Sequence, residues 1–285
     1  MSYGRLAGVQ PGRVGVYSGL LATRPAAVQR EVVREVERLG YGAMWFGEPA
    51  PGRHAFVQAS IFLSATERIA VGTGIASIYA HDSYSAHAAG RSLAELSGNR
   101  FILGLGVSHP AVVARRGRTY DKPVPAMRGY LDGIDAAAQG WRGLAAPMPP
   151  VVLAALRPLM LKLAAQRAAG AFTYFVTDEH TREARAILGD EAFLATDLPV
   201  VVEADPRRAR QIGDWHTKRY LSIDNYRNSL LRLGFSEADT EPPGSQALFD
   251  AVVAWGTPET IAERVRARLA AGADHVILNL ATDDP

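Results

Sequence analysis

Apolar and polar positions follow two alternating rhythms along the chain. In residues 25–39, Val28, Val32, Val36 and Leu39 share one stripe of a 3.6-residue period, Arg and Glu cover the rest, and Gly40 is placed to end the helix. The runs on either side, 13–18 (RVGVYS) and 43–48 (AMWFGE), are short and mostly apolar, which predicts buried strands. The exchange continues with a helix over 56–66, a strand over 69–77, a helix over 83–97 closed by Gly98 and Asn99, and a strand over 101–108. Beyond a helix at 126–141 and the break APMPP come strand 151–156, helix 159–169, strand 171–176, helix 182–188 and strand 198–204. The last unit is the clearest. Thr257 can cap, Pro258 suits the first turn, Ile261, Val265 and Leu269 share a face, Gly272 stops the helix, and HVILNLA follows as a strand.

Eight strand-then-helix units in a chain of 285 residues predict an α/β fold of the closed (β/α)8 TIM-barrel type. Two departures are expected. Residues 205–255 are too long for a simple connection and carry helical stretches, so they read as a helical insertion after the seventh strand, near the barrel mouth. The sequence stops at TDDP soon after the eighth strand, so the final helix is expected to be missing. No low-complexity linker divides residues 1–285, which read as one domain.

Charge changes the picture only by exclusion. With 31 basic and 29 acidic residues the chain is near balance, which gives no electrostatic reason to expect nucleic acid or a membrane surface as partner. The absence of cysteine removes disulfides, thiolate metal sites and a cysteine nucleophile, and it fits a reducing, cytoplasmic setting. No run approaches the roughly 18 apolar residues of a membrane span, and the N-terminus lacks the form of a signal peptide. Lys122, Lys162 and Lys218 lie on loop or helix, away from strand ends, which disfavours an aldolase-type Schiff base. His54, His81, His87, His180, His216 and His275 show no metal-ligand spacing, and no metal is expected.

Candidate chemistry starts with two glycine-rich strand ends, VGTGIASI at 71–78 and ILGLGVSH at 102–109. A dinucleotide-binding fingerprint would need a third glycine where Ser77 and His109 stand, so both fail it. Glycine at the C-terminal end of a barrel strand either relieves crowding or lets the main chain approach a flat ligand. VGTGIASIYAHD, RSLAELSGNRFILGLGVSH, LAALRPLMLKLAAQRAAGAFTYFVT and WGTPETIAERVRARLAAGADHVIL occur in this order over nearly the whole chain. Together they resemble the bacterial-luciferase-like superfamily, and within it the oxidoreductases that use the deazaflavin coenzyme F420.

That resemblance implies a luciferase-like barrel with a non-prolyl cis peptide at Gly74–Ile75, forming a bulge against which the deazaflavin ring packs, with Ser77 beside it. It implies that Gly106, Val107 and Ser108 line the ring. His109 stands where relatives carry an acidic residue, and a histidine can exchange a proton at neutral pH; a structural histidine is the alternative. Glu48 matches an acidic position at the second strand end, but Pro49 follows where relatives have histidine. Ala154, Ala155, Leu156 and Arg157 run from a strand into a helix N-terminus suited to phosphate, where Arg157 either adds a charged donor or is simply a solvated side chain, with Thr177 a weaker contact. Arg115, Arg116, Arg118 and Lys122 form a basic loop that reaches an anionic tail or is simply solvated. Tyr17, Trp45, Phe46 and Tyr79 either wall the pocket or belong to the core, and His81-Asp82 edges the pocket or makes a turn.

The implied activity is hydride transfer between coenzyme F420 and a small organic substrate, with His109 or Glu48 as proton source. The first alternative is an FMN-dependent monooxygenase supplied by a separate cofactor-reducing enzyme; the second is a degenerate cofactor-binding barrel without turnover. Relatives of this kind are commonly homodimers.

Overall fold

The computed structural model describes residues 5–143 and 145–281. Its strands are β1 (Val14–Tyr17), β2 (Ala43–Phe46), β3 (Ala70–Thr73), β4 (Ala76–Ser77), β5 (Phe101–Gly106), β6 (Val151–Ala154), β7 (Gly170–Thr173), β8 (Phe193–Val202), β9 (Ala254–Gly256) and β10 (His275–Leu280). The helices are α1 (Ala26–Arg38), α2 (Ala55–Ala65), α3 (Ser83–Leu96), α4 (Pro110–Arg115), α5 (Pro123–Gly140) and α6 (Pro158–Arg167), then α7 (Asp178–Leu188), α8 (Pro206–Leu221), α9 (Asp224–Arg232), α10 (Glu237–Thr240), α11 (Gln246–Val252) and α12 (Pro258–Ala270). Every strand pairing is parallel, and β1 pairs with both β2 and β10 while β10 pairs with β8, so the sheet closes on itself. This is the expected (β/α)8 barrel. Residues 282–285, on which the expectation of a missing last helix falls, lie outside the described residues.

Two differences from the sequence reading have physical causes. The seventh barrel strand begins at Phe193 rather than 198, and it contains Pro199. Ala281 donates its N–H to Val200 O, so Val200 faces β10 and Pro199 faces the opposite side. There the pairing with β7 stops at Thr196 and that with β9 starts at Val200, so the missing proline N–H falls in a gap between ladders. The third barrel strand is split. Val71 faces Phe101 while Ala76 faces Leu105, so five steps on one strand oppose four on the other, the register of a bulge. The Thr73 hydroxyl bridges the interruption, accepting from Gly104 N at 2.9 Å and donating to Gly104 O at 2.7 Å.

Inside the barrel Ala43, Trp45, Ile102, Val152, Phe172 and Ile277 form a closed layer, with Trp45 and Phe172 stacked at 5.6 Å. Beneath them His275 donates from Nδ1 to Gly12 O at 2.8 Å and accepts from Trp45 Nε1 at 3.1 Å; burial lowers its pKa to about 4. The insertion after β8 consists of α8 to α11 with its own core, in which Leu221, Leu230, Leu248 and Phe249 pack against Phe175 and Val201 of the barrel. That contact sets it beside the C-terminal ends of the strands.

Candidate active site at the barrel mouth

The bulge is held from behind. Glu48, two residues beyond β2, accepts from Ser77 N at 3.1 Å, from Ala55 N at 3.4 Å and from His81 Nε2 at 2.8 Å, with its side chain 4% exposed. Burial raises its pKa, but the donors from His81, Ser77 and Ala55 together outweigh that and hold the carboxyl below the ordinary range. His81 therefore belongs with Glu48, while Asp82 caps α3 through Ser85 N. His54 lies edge-on to His81 at 4.6 Å.

The peptide between Gly74 and Ile75 is cis, at the position the resemblance implies. The glycines around it are not empty space. A Cβ on Gly72 would lie 2.5 Å from the Trp45 ring, on Gly104 1.7 Å from Thr73 O, on Gly106 2.5 Å from Ile75 Cγ1, and on Gly74 3.1 Å from Phe172. Their first role is to let the bulge and the interior aromatics pack, and the ligand-facing surface is what remains. Gly74, Ile75, Val107, Ser108 and Ala154 are partly accessible, whereas Ser77, Gly106, Ala155 and Leu156 are buried beneath them. The result is a small, neutral wall on the β3 to β6 side, with Ser108 in the left-handed region at φ 59°.

The proposed phosphate cradle divides. Leu156 O is fixed by His180 Nε2 at 2.7 Å, and Arg157 is exposed at the start of α6 with no ion pair among the described residues. Thr177 is buried and its hydroxyl caps α7 by accepting from His180 N, in a first turn that also carries Asp178 and Glu179. Two carboxylates at that helix start oppose a phosphate. Arg115 and Arg118 of the basic loop are exposed, and Arg115 reaches Ala50 O at 3.4 Å.

The opposite wall is aromatic and comes largely from the insertion. Tyr174, one residue past β7, has ring contacts with Tyr17 at 5.8 Å, Tyr220 at 5.0 Å and Tyr226 at 6.3 Å. Tyr226 in turn lies 5.6 Å from His109, so these rings reach across the mouth to the end of β5. Burial first, and the Arg219 guanidinium second, lower the His109 pKa, leaving it neutral near pH 7. Trp45 and Phe46 are fully buried and belong to the core, and Tyr79 packs on Tyr120 at 5.9 Å outside this wall.

Sequence reasoning missed a carboxyl inside the barrel. Asp197 of β8 is fully buried; its Oδ2 accepts from Phe175 N at 3.5 Å and its Oδ1 has no partner among the described residues. Burial pushes its pKa up to about 7 against the opposing pull of the Phe175 amide, the Asn279 side chain and Arg268. In the sequence this residue stands one position before the strand expected at 198–204. Tyr220 and Tyr226 were equally silent, since only the fold carries them to the mouth.

Among the described residues no cluster of three or more His, Cys, Asp or Glu is arranged to hold a metal, and no helix is long and apolar enough to cross a membrane. A solved structure of similar fold is the coenzyme F420-dependent tetrahydromethanopterin reductase of Methanopyrus kandleri, with TM-score 0.74, 16% identity and coverage of 94% of this chain and 93% of that one. Another is the oxygenating constituent of the 3,6-diketocamphane monooxygenase of Pseudomonas putida in complex with FMN, with TM-score 0.71, 14% identity and coverage of 95% and 92%. At sequence level, a Mycobacterium tuberculosis protein, by name a coenzyme F420-dependent oxidoreductase, is 32% identical over 121 residues. That match spans 42% of this chain and 35% of the relative. The model of the luciferase-like monooxygenase family matches residues 8–275, and the chain belongs to that family.

Proposed function

We propose that this chain is an oxidoreductase that binds coenzyme F420 at the barrel mouth and passes a hydride between the deazaflavin ring and a small organic substrate. The carrying observation is the mouth itself: the neutral, partly accessible residues Gly74, Ile75, Val107, Ser108 and Ala154 adjoin an aromatic group of Tyr17, Tyr174, Tyr220 and Tyr226. Neutral and aromatic surfaces of this composition suit contact with a planar heterocycle, and no lysine stands among these residues to act as a nucleophile. The name of the Mycobacterium tuberculosis relative supports the choice of cofactor.

When bound, the deazaflavin supplies the hydride-carrying carbon. Ile75, Val107 and Ala154 orient the ring by contact, and Ser108 offers it a hydroxyl. Arg157, exposed at the start of α6, takes the anionic tail. His109, neutral near pH 7, is the accessible group placed to take or give a proton at the substrate. Glu48, already committed to three donors, keeps the bulge in place. Tyr220 and Tyr226 exclude water from above.

A second reading is favoured by the family's own description and by the FMN-bound fold neighbour: a flavin monooxygenase fed by a separate reductase. Titrating the purified chain separately with oxidised F420 and with FMN, followed by cofactor fluorescence, decides between them. Tighter binding of F420 supports the proposal, clear preference for FMN moves the chain to the second reading, and binding of neither overturns both.

A further inference from the structure

Asp197 begins a chain of contacts that leaves the barrel interior and ends in the insertion. The Asn279 side chain of β10 opposes the rise of its pKa, and Asn279 Nδ2 donates to the Tyr174 hydroxyl at 2.7 Å. The Tyr174 and Tyr220 hydroxyls share a hydrogen bond of 2.8 Å, and Tyr220 lies on α8. The same carboxyl accepts the amide of Phe175, a non-glycine residue at φ 52° whose ring stacks on Tyr220 at 5.3 Å. Both routes from Asp197 end on one tyrosine of the insertion. An asparagine here would accept the Phe175 amide without placing an ionisable group in the interior, so a fully buried carboxyl with one unpartnered oxygen calls for an explanation beyond packing.

We propose that Asp197 is a positioning residue that latches the inserted segment over the barrel mouth, acting through Asn279, Tyr174 and Phe175 on Tyr220. The latch is proton-linked, because Asp197 is the group of its surroundings that changes charge near neutrality. Facing it are Tyr17 from β1, Tyr174 just past β7, and Tyr220 and Tyr226 from α8 and α9, all with pKa values raised by burial and neutral at any moderate pH. His216 of α8 is lowered to about 3 by burial and stays uncharged. Arg268 of α12 is paired with Asp178 at 2.6 Å, and the Arg219 guanidinium lies on α8 near His216.

With its pKa pushed up to about 7, the closed segment holds a proton on Asp197. Once the segment lifts and water reaches the carboxyl, the pKa falls back towards the roughly 3.9 of a free aspartate. The group raised in the closed state therefore favours closure fully at low pH, and that contribution is lost as pH rises through about 7. The inference holds whichever redox cofactor the mouth accepts.

Hydrogen exchange of the full chain, expressed as protection factors so that intrinsic rates cancel, tests it at pH about 5.5 and about 8.5. In the wild type, protection of α8 and α9 is expected to fall roughly tenfold or more at the higher pH while α3 is unchanged. Asp197→Asn should keep α8 and α9 protected at both values, and Tyr220→Phe should leave them weakly protected at both. No step in the wild type overturns the proposal. So does a step that survives in Asp197→Asn or Tyr220→Phe, which is the outcome a merely structural aspartate would give.

Discussion

Glu48 Oε2 accepts the amide of Ser77 at 3.1 Å, tying the loop after β2 to the strand that resumes beyond the bulge. Because the other oxygen serves His81 and Ala55, Glu48→Ala strands three donors and is expected to cost about 2–4 kcal/mol of stability by urea denaturation. Glu48→Gln keeps the acceptor for Ser77 and should cost less. Since the folded pKa is depressed, the gap between wild type and Glu48→Gln is full at pH 7 and closes as pH falls through the folded pKa. A gap that widens in acid would contradict this assignment.

Gly104 permits the closest approach in the sheet. Its alanine variant would push a methyl to 1.7 Å from Thr73 O, a backbone atom that cannot step aside without breaking the bulge. Gly104→Ala is expected to lose roughly 3 kcal/mol or more, while Gly129→Ala, on an open helix face, should gain a few tenths. Comparing the two melting curves checks the claim that the glycine run serves the bulge.

Asp197 is expected to weaken the native state at high pH. The unfolded chain releases this proton near 3.9 and the folded chain near 7, so the native state loses ground with rising pH across that interval. Asp197→Asn should therefore gain stability over wild type, little at pH 4 and up to about 4 kcal/mol at pH 8. Equal stability of the two proteins at both pH values would show that the carboxyl titrates normally.

His109 carries the proton role in the proposed reaction. His109→Gln should lower kcat by about 10²–10⁴ while leaving cofactor affinity within a few-fold, because the ring contacts lie on Ile75, Val107 and Ala154. An unchanged kcat would place the proton source elsewhere.

Much of the architecture was legible because burial imposes a period: the capped unit from Thr257 to Gly272 translates directly into α12, and α1 forms where the 3.6-residue rhythm placed it, although the face it buries is Gln29, Val33 and Val36 while Val28 and Leu39 of the predicted stripe are exposed. The position of the insertion was legible from its length. What escaped depends on distance in sequence. His81 meets Glu48 across 33 residues, and Asn279 meets Tyr174 across 105, so neither pair leaves a local signal. Pro199 hid the start of β8, since a proline that falls between two ladders looks in sequence like a strand breaker. The sequence left the glycines open between relief of crowding and room for a flat ligand, and the side chains of Trp45 and Ile75 fill much of that room.

The most direct test of the account is a crystal structure of the chain soaked with oxidised coenzyme F420. The account predicts the deazaflavin ring lying against Gly74–Ile75, with Val107 and Ala154 on the same side and Tyr174 opposite. A ring bound away from the strand ends, for instance in the cavity of about 590 Å³ beside Thr177, Phe235 and Arg264, or no bound ring at saturating cofactor, would contradict it.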